Sequence, residues 1–408
     1  MENEKLLAYL KRGGEQIWIG TKSPFDMETV ELLNSSNYRV SSSHHHKYDT
    51  VWFCETLLDD VGPLGWKIVV DELIRLIGRQ GILVIRMRDN GIPSQPLLKK
   101  FLGRHIGIEA ELDYEHRDKE TDIWILAFQI VRVDVEQYAA QDWTFAVLTV
   151  GKKVDNVVRF LKSIRDYEPN KNSEIIIVGP KNRKYDRYKV KYIDTAQFRE
   201  KEYAEISKKK NAVIEMATKA NLMIIHDRFV LEPNFFIGFE KWGYDFDFVT
   251  VSQFTEDGDA YPGYAATYEH MRFSRQIWVQ EYRHLYDNQY INGGLIIMKR
   301  HIAKKILFNR MMMWAQMEDC ELSQVCMEHG IIPRVNFISE AIVLEMSKGY
   351  LVSWDMESEL AEKRTFSSRF QPVFYRFVQR ITKHIPMRFK QMTLYRGLKK
   401  LYWRGKRS

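Results

Sequence analysis

The chain has 408 residues, 45% hydrophobic and 28% charged, which excludes an intrinsically disordered protein and leaves room for two or three domains with ample core. The formal net charge of +7 is unevenly held: residues Lys363 to Ser408 carry 14 Lys or Arg and no acid, leaving 47 basic against 54 acidic residues, a net of −7, in the rest. An acidic body with a basic tail excludes an enzyme that grips nucleic acid in a positive groove.

No apolar run reaches the length of a membrane span, and the opening MENEKLLAYLKRGG lacks the apolar core of a signal peptide, so cytoplasmic residence is expected. Cys54, Cys320 and Cys326 lack metal-ligand spacing and read as reduced thiols packed as small hydrophobes.

Along residues 1 to 138, Gln16–Gly20, Thr50–Cys54 and Ile82–Arg86 read as short buried strands, with a helix over Trp66–Ile77. Ile108–Tyr114 and Asp122–Val131 follow as strands of a closing antiparallel hairpin across the charged turn EHRDKE. His44-His45-His46 invites a metal, but adjacent side chains in an extended segment point to opposite faces, so a solvated loop is the expectation.

This order, with YDTVWFCETLLDDVGPLGWKIVVDELIRLIGRQGILVIR as fourth strand, helix and fifth strand, resembles the Rossmann-type fold of S-adenosylmethionine-dependent methyltransferases. The Gly-rich turn that such enzymes place after the first strand is replaced by GTKSPF, and no ribose-binding acid closes the second strand. A degenerate module that binds no S-adenosylmethionine is expected.

From 140 to 350 the pattern restarts. Thr144–Val150 is a strand and Gly151-Lys152-Lys153 opens a helix whose Val154, Val157, Val158, Leu161 and Ile164 share one face; strands follow at Glu174–Val178 and Val190–Ile193. Glu205–Ala220 reads as a helix with Asn221 as its C-cap, and Leu222–Ile225 as a buried strand ending in His226-Asp227-Arg228. In open α/β sheets ligands gather outside the carboxyl ends of strands, where such a tripeptide can meet a metal or a phosphate; a plain strand-end turn is the competing reading. Ile291–Met298 carries Gly293-Gly294 ahead of an apolar run, suited to close backbone approach, to a bulge or to a tight turn. Met317-Glu318-Asp319-Cys320-Glu321-Leu322-Ser323 sets two acids at a helix start, where the dipole stabilises the anion.

These features resemble glycosyltransferase family 2, which has the GT-A fold. The overall expectation is an α/β protein with two Rossmann-like parts, methyltransferase-like and then nucleotide-sugar-binding. The resemblance implies transfer of a sugar from a nucleotide diphosphate donor to a hydroxyl of a growing polysaccharide or lipid-linked glycan. It implies an inverting reaction with Asp319 as base beside Glu318. Thr149, Gly151, Lys210, Asn211, Asp227, Arg228, Gly293 and Gly294 are implied donor contacts, and Asp227, His226 and Glu345 implied ligands of Mn or Mg. His226-Asp227-Arg228 departs from the family's Asp-x-Asp by keeping one carboxylate. A bifunctional methyl- and glycosyltransferase, a sugar nucleotidyltransferase and a silent assembly scaffold are the alternatives. The aromatic, polar stretch Asp247–Tyr290 suits an acceptor cleft or an irregular insertion.

In the tail, 351 to 408, Phe370, Val373, Phe374, Phe377, Val378 and Ile381 fall on one helical face with Arg and Lys largely off it. A basic amphipathic helix of this kind suits an anionic membrane surface, here the inner face of the cell membrane; packing on the body is the alternative.

Overall fold

The computed structural model describes residues 2–35, 37–88, 91–200, 203–268, 276–346 and 354–357. The expected tail helix lies outside the described residues. Met1–Asp355 forms one compact unit.

A helix, α1 (Glu2–Lys11), leads into the parallel strands β1 (Gln16–Ile19), β2 (Glu28–Val30) and β3 (Tyr48–Phe53). Then come α2 (Trp66–Leu76), β4 (Ile77–Arg88), α3 (Gln95–Arg104) and the antiparallel pair β5 (Ile108–Asp118) and β6 (Ile123–Arg132). The sheet order is β2-β1-β3-β4-β6-β5. Period-two alternation puts Leu83, Ile85 and Met87 of β4 into the core beneath α2 and α3, while Ile82 and Val84 pack with Trp18, Trp52 and Tyr9 on the other face.

The expected hairpin forms, but its turn is not EHRDKE. Glu115 to Asp118 pair with Leu126 to Ile123, so the charged run extends the edge strand. At an edge one face meets water, and alternating polar residues there read as a turn in sequence although the backbone stays in the ladder.

After α4 (Val135–Ala139) the second half supplies β7 (Trp143–Leu148), α5 (Val154–Tyr167), β8 (Glu174–Val178), β9 (Lys191–Ile193), α6 (Ile206–Met216), β10 (Asn221–His226), β11 (Phe229–Leu231), α7 (Phe235–Trp242) and β12 (Phe248–Thr255). The short strands β13 (Tyr264–Thr267), β14 (Gln276–Trp278) and β15 (Gln289–Ile291) pair with one another. Then follow β16 (Leu295–Lys299), α8 (Arg300–Lys305), α9 (Glu318–Glu328) and β17 (Pro333–Val343). The large sheet runs β11-β17-β12-β16-β10-β7-β8-β9, with β10, β7, β8 and β9 parallel and β16 antiparallel to β10. Phe145, Ile177, Met223, Ile225, Leu295 and Ile297 face α5 and the aromatic helix α7.

Asn221 does not cap α6. It opens β10, and its Nδ2 donates to the carbonyls of Ala140 and Asp142, 2.9 Å each, while the helix ends at Ala217.

A buried ion network joins the two sheets. Arg75 on α2 donates to Asp71 (2.7 Å), Asp245 (2.7 Å) and Asp247 (2.8 Å). Arg132 on β6 bonds Asp245, Arg39 bonds Glu72 and the Trp242 and Asp245 carbonyls, and Arg334 on β17 bonds Asp71. Burial would raise the Asp245 pKa, but Arg132, Arg75 and His46 outweigh it and hold the carboxyl well below its ordinary range.

Two of the three histidines, His45 and His46, belong to this network, and the segment is not a solvated loop. His45 is buried with Nε2 3.1 Å from Glu72, His46 lies 3.0 Å from Asp245, and His44 turns the other way to the Tyr48 hydroxyl, 2.7 Å. The three rings reach three different partners.

Candidate active site

Three adjacent strands end on one edge of the large sheet. Because β16 runs against β10 and β7, its entry at Gly293-Gly294 lies beside the exits of β10 at His226-Asp227 and of β7 at Thr149. Two strand spacings separate the outer members, about 10 Å.

At one end of the edge, the first turn of α9 brings Asp319 to the glycines. Gly293 N donates to Asp319 Oδ2 at 2.7 Å, and Cys320 N donates to Oδ1 at 2.9 Å. Lys210, fully buried on α6, donates to the Gly293 carbonyl (3.1 Å) and to Glu318 Oε1 (3.2 Å). Burial raises the Asp319 pKa first and Glu318 second; Lys210 and the Gly293 and Cys320 amides oppose them, and the carboxyl settles at about 6. Such a group is ionised at neutral pH yet basic enough to take a proton.

His226, Gly293, Gly294, Glu318 and Asp319 line one cavity of about 210 Å³, with Gln276, Tyr290, Asn292 and Trp314 among its other walls. The His226 Nε2 atom is buried and meets no hydrogen-bond partner among the described residues. Burial, then Lys210, Arg228 and Lys209, push its pKa down to about 3, so the ring is neutral with a lone pair to offer. Gln276 and Tyr290 come from the stretch expected to form an acceptor cleft. Trp314 and Asn292 escape sequence reasoning, their only signal being position beside the acidic pair and the glycines.

Asp227 does not line that cavity. Its Oδ2 accepts from Thr149 Oγ1 at 2.7 Å, one strand away, and the same hydroxyl accepts from Gly151 N at 3.0 Å. Thr149, Gly151 and Asp227 therefore form the other end of the edge, as adjacent residues leaving a strand must diverge. Arg228 belongs to this side, close enough to Glu345 to help lower its pKa.

Two expected ligands have other partners. Both ends of the Asn211 amide are taken by the Phe308 backbone, at 2.8 and 2.9 Å, so this residue fixes a loop. Glu345 accepts from Asn156 and pairs with Lys153 at 2.6 Å, where a metal ion would have to displace an ammonium. Lys210 spends its charge on Glu318 and Gly293, within the acidic end of the site.

Gly293-Gly294 links β15 to β16, so its glycines sit in a connection rather than in a strand. A Cβ on Gly293 would lie 3.0 Å from Asp319 Cβ and 3.1 Å from Lys210 Nζ. Gly293→Ala is therefore expected to push the Asp319 carboxylate off its amide and lower turnover roughly tenfold, with the folding midpoint little changed; steady-state kinetics and thermal melting check this.

His226 and Asp227 diverge, so an ion held by this tripeptide would take one ligand from it, and the Asp227 carboxylate suits a hard cation better than the His226 nitrogen, which sits among Lys210, Arg228 and Lys209. A second group, Asp71, His105 and Asp247, has ligand atoms within 4.8 Å of one another. Its carboxylates already accept from Arg75, Arg334 and Tyr138, and His105 Nδ1 accepts from Gly107 N. A cation there would sit among guanidinium groups, so the cluster fits the ion network and not a metal.

No protein-family model matches the chain, and no curated protein matches it. Among solved structures it is similar to S. aureus TarS 1-349, at 13% identity and TM-score 0.35 over 50% of this chain and 60% of that one. It is also similar to the mannosyltransferase PcManGT from Pyrobaculum calidifontis in complex with GDP-Man and Mn2+, at 12% identity and TM-score 0.36 over 52% of this chain and 59% of that one. The chain thus spans about three fifths of the length of each. At these scores neither likeness carries a function over.

At the exit of β1, the Glu55 carboxylate accepts from Thr21 N (3.0 Å), Lys22 N (3.3 Å) and Trp18 Nε1 (3.1 Å). A Cβ on Gly20 would lie 2.0 Å from Glu55 Oε2. The chain's own acid fills this turn.

Proposed function

We propose that the protein is a nucleotide-sugar-dependent glycosyltransferase acting on a glycan or lipid-linked hydroxyl. The observation that carries this reading is the shared cavity of Asp319, His226 and Gly293-Gly294 at a sheet edge that continues to Asp227 and Thr149. Asp319 stands at one end as base. Asp227, Thr149 and Gly151, with Arg228 nearby, supply polar contacts for the donor at the other.

A divalent ion at Asp227 would, when bound, stabilise charge on the departing diphosphate. Of the cations around His226, Lys210 is paired with Glu318 and Lys209 with Glu200, so Arg228 is the one that adds positive potential toward the donor. Lys210 also keeps Glu318 from repelling Asp319 further, so the acidic pair bears one internal counter-ion. In an inverting reaction Asp319 accepts the acceptor's hydroxyl proton as the oxygen attacks the anomeric carbon and the diphosphate leaves.

The acid limb follows from the raised Asp319 pKa. A base works only deprotonated, so kcat/KM is expected to fall as pH drops through about 6. Glu318→Gln removes a charge that raises this pKa and is expected to move the limb downward; pH–rate profiles of the two proteins check both the position and the sign.

The first sheet is read as a degenerate methyltransferase-like module, supported by Glu55 occupying the amides where a cofactor would approach β1. S-adenosylmethionine is expected to leave the melting temperature of the full chain unchanged. Thermal shifts with a panel of nucleotide diphosphate sugars, with and without manganese, test the main reading: a shift that needs both supports it, and no shift with any donor refutes it.

A further inference from the structure

Thirteen large apolar residues are exposed among those described, and three of them, Leu307 (50%), Met311 (83%) and Trp314 (58%), fall within eight positions between α8 and α9. A fourth, Tyr203 (54%), lies alongside, because Trp314 N donates to the Ala204 carbonyl at 2.9 Å. Single exposed apolar residues need no explanation, whereas four gathered on one lip do.

The lip is held, not loose. Ser207 Oγ donates to the Met312 carbonyl at 2.7 Å, Asn211 clamps the Phe308 backbone at both ends, and Met313 N donates to Gln316 Oε1 at 2.8 Å. Polar groups of α6 thus fix the backbone while the largest side chains point to solvent.

Within the segment itself the charge has one sign. From Lys304 to Gln316 the sequence KKILFNRMMMWAQ has three cations and no acid. Lys305 meets Asp134 at 3.4 Å, and Glu321 accepts from Asn309 at 3.4 Å; Lys304 and Arg310 have no carboxylate partner among the described residues. Trp, Met and Leu flanked by Lys and Arg match the interface of an anionic bilayer, where the rings sit at headgroup level and the cations meet lipid phosphates.

We propose that residues 307–316 dock on an anionic membrane surface, burying Leu307, Met311 and Trp314 among the lipid headgroups. Trp314 and Ala315 also line the cavity that holds Asp319, so docking sets the mouth of that cavity against the bilayer. A hydroxyl or phosphate carried on a lipid then reaches the site without leaving the membrane. The readout of this contact needs no sugar transfer, so its failure and that of the transfer reading are distinguishable.

The three native cysteines are buried, so Met311→Cys in the full chain can be labelled selectively with an environment-sensitive fluorophore. Mixed phosphatidylglycerol and phosphatidylcholine vesicles are expected to shift its emission to the blue, with quenching by lipid-borne nitroxides, and pure phosphatidylcholine vesicles are not. The same label at Ile237→Cys, 51% exposed on α7, is expected to stay aqueous. The double substitution Met311→Asp with Trp314→Asp is expected to weaken partition onto the mixed vesicles about tenfold or more. A label at 311 that stays aqueous on vesicle-bound protein, unchanged partition of the double variant, or no vesicle binding overturns the proposal. So does a concentration-dependent blue shift without lipid that Trp314→Asp abolishes, which would assign the lip to a second copy of the chain.

Discussion

Asp319→Asn is expected to lower sugar transfer by about 10²- to 10⁴-fold while the protein folds and binds donor as before. Gly293 N and Cys320 N bond different oxygens of Asp319, so the single amide oxygen of Asn keeps one of these bonds and the other is lost. What is lost is the anion that takes the acceptor proton. The loss should fall on kcat, with donor affinity retained, if the charged end of the donor binds toward Asp227 and Thr149 as proposed. Steady-state kinetics beside a donor-binding isotherm separates the two. The same substitution relieves the repulsion that Glu318 exerts on Asp319, which offsets part of the cost of the lost backbone bond.

Arg75→Leu is expected to cost about 3–5 kcal/mol of stability, the range for removing one partner from a buried ionic cluster. Arg75 and its partners Asp71, Asp245 and Asp247 are each no more than 3% exposed, and the guanidinium bonds all three carboxylates. Arg132, Arg334 and Tyr138 remain, but they cannot neutralise three buried acids. Chemical denaturation at neutral pH measures the effect. The sign with pH follows from the lowered pKa values of Asp245 and Asp247. Their contribution is in full above the unfolded pKa of about 4 and is lost as pH falls through the lower folded values, so the gap between wild type and variant should narrow in acid.

The strands were the most legible part of the fold. Apolar runs such as Glu174–Val178 appear as strands with the same bounds, because a buried parallel strand needs both faces apolar. The Glu318-Asp319 pair at a helix start was legible for the same local reason: α9 begins there, after Met317 in the left-handed conformation. Partnerships across long sequence separations were not legible. Nothing near Arg75 announces Asp245, 170 residues on, so the triple histidine read as a loop although His45 and His46 complete that network. Lys210 read as a donor contact because its pairing with Glu318, 108 residues on, has no local signature. Asn221 read as a cap because cap and strand-start asparagines look alike until the backbone they bond is known.

A single edge site is tested most directly by titrating a nucleotide diphosphate sugar into the full chain with manganese, for wild type, Asp227→Asn and Asp319→Asn. Saturable binding is expected for wild type and Asp319→Asn, strong weakening for Asp227→Asn, and turnover with acceptor for wild type alone. Equal binding by all three proteins, or full turnover by Asp319→Asn, would contradict a single site spanning the edge from Asp319 to Asp227.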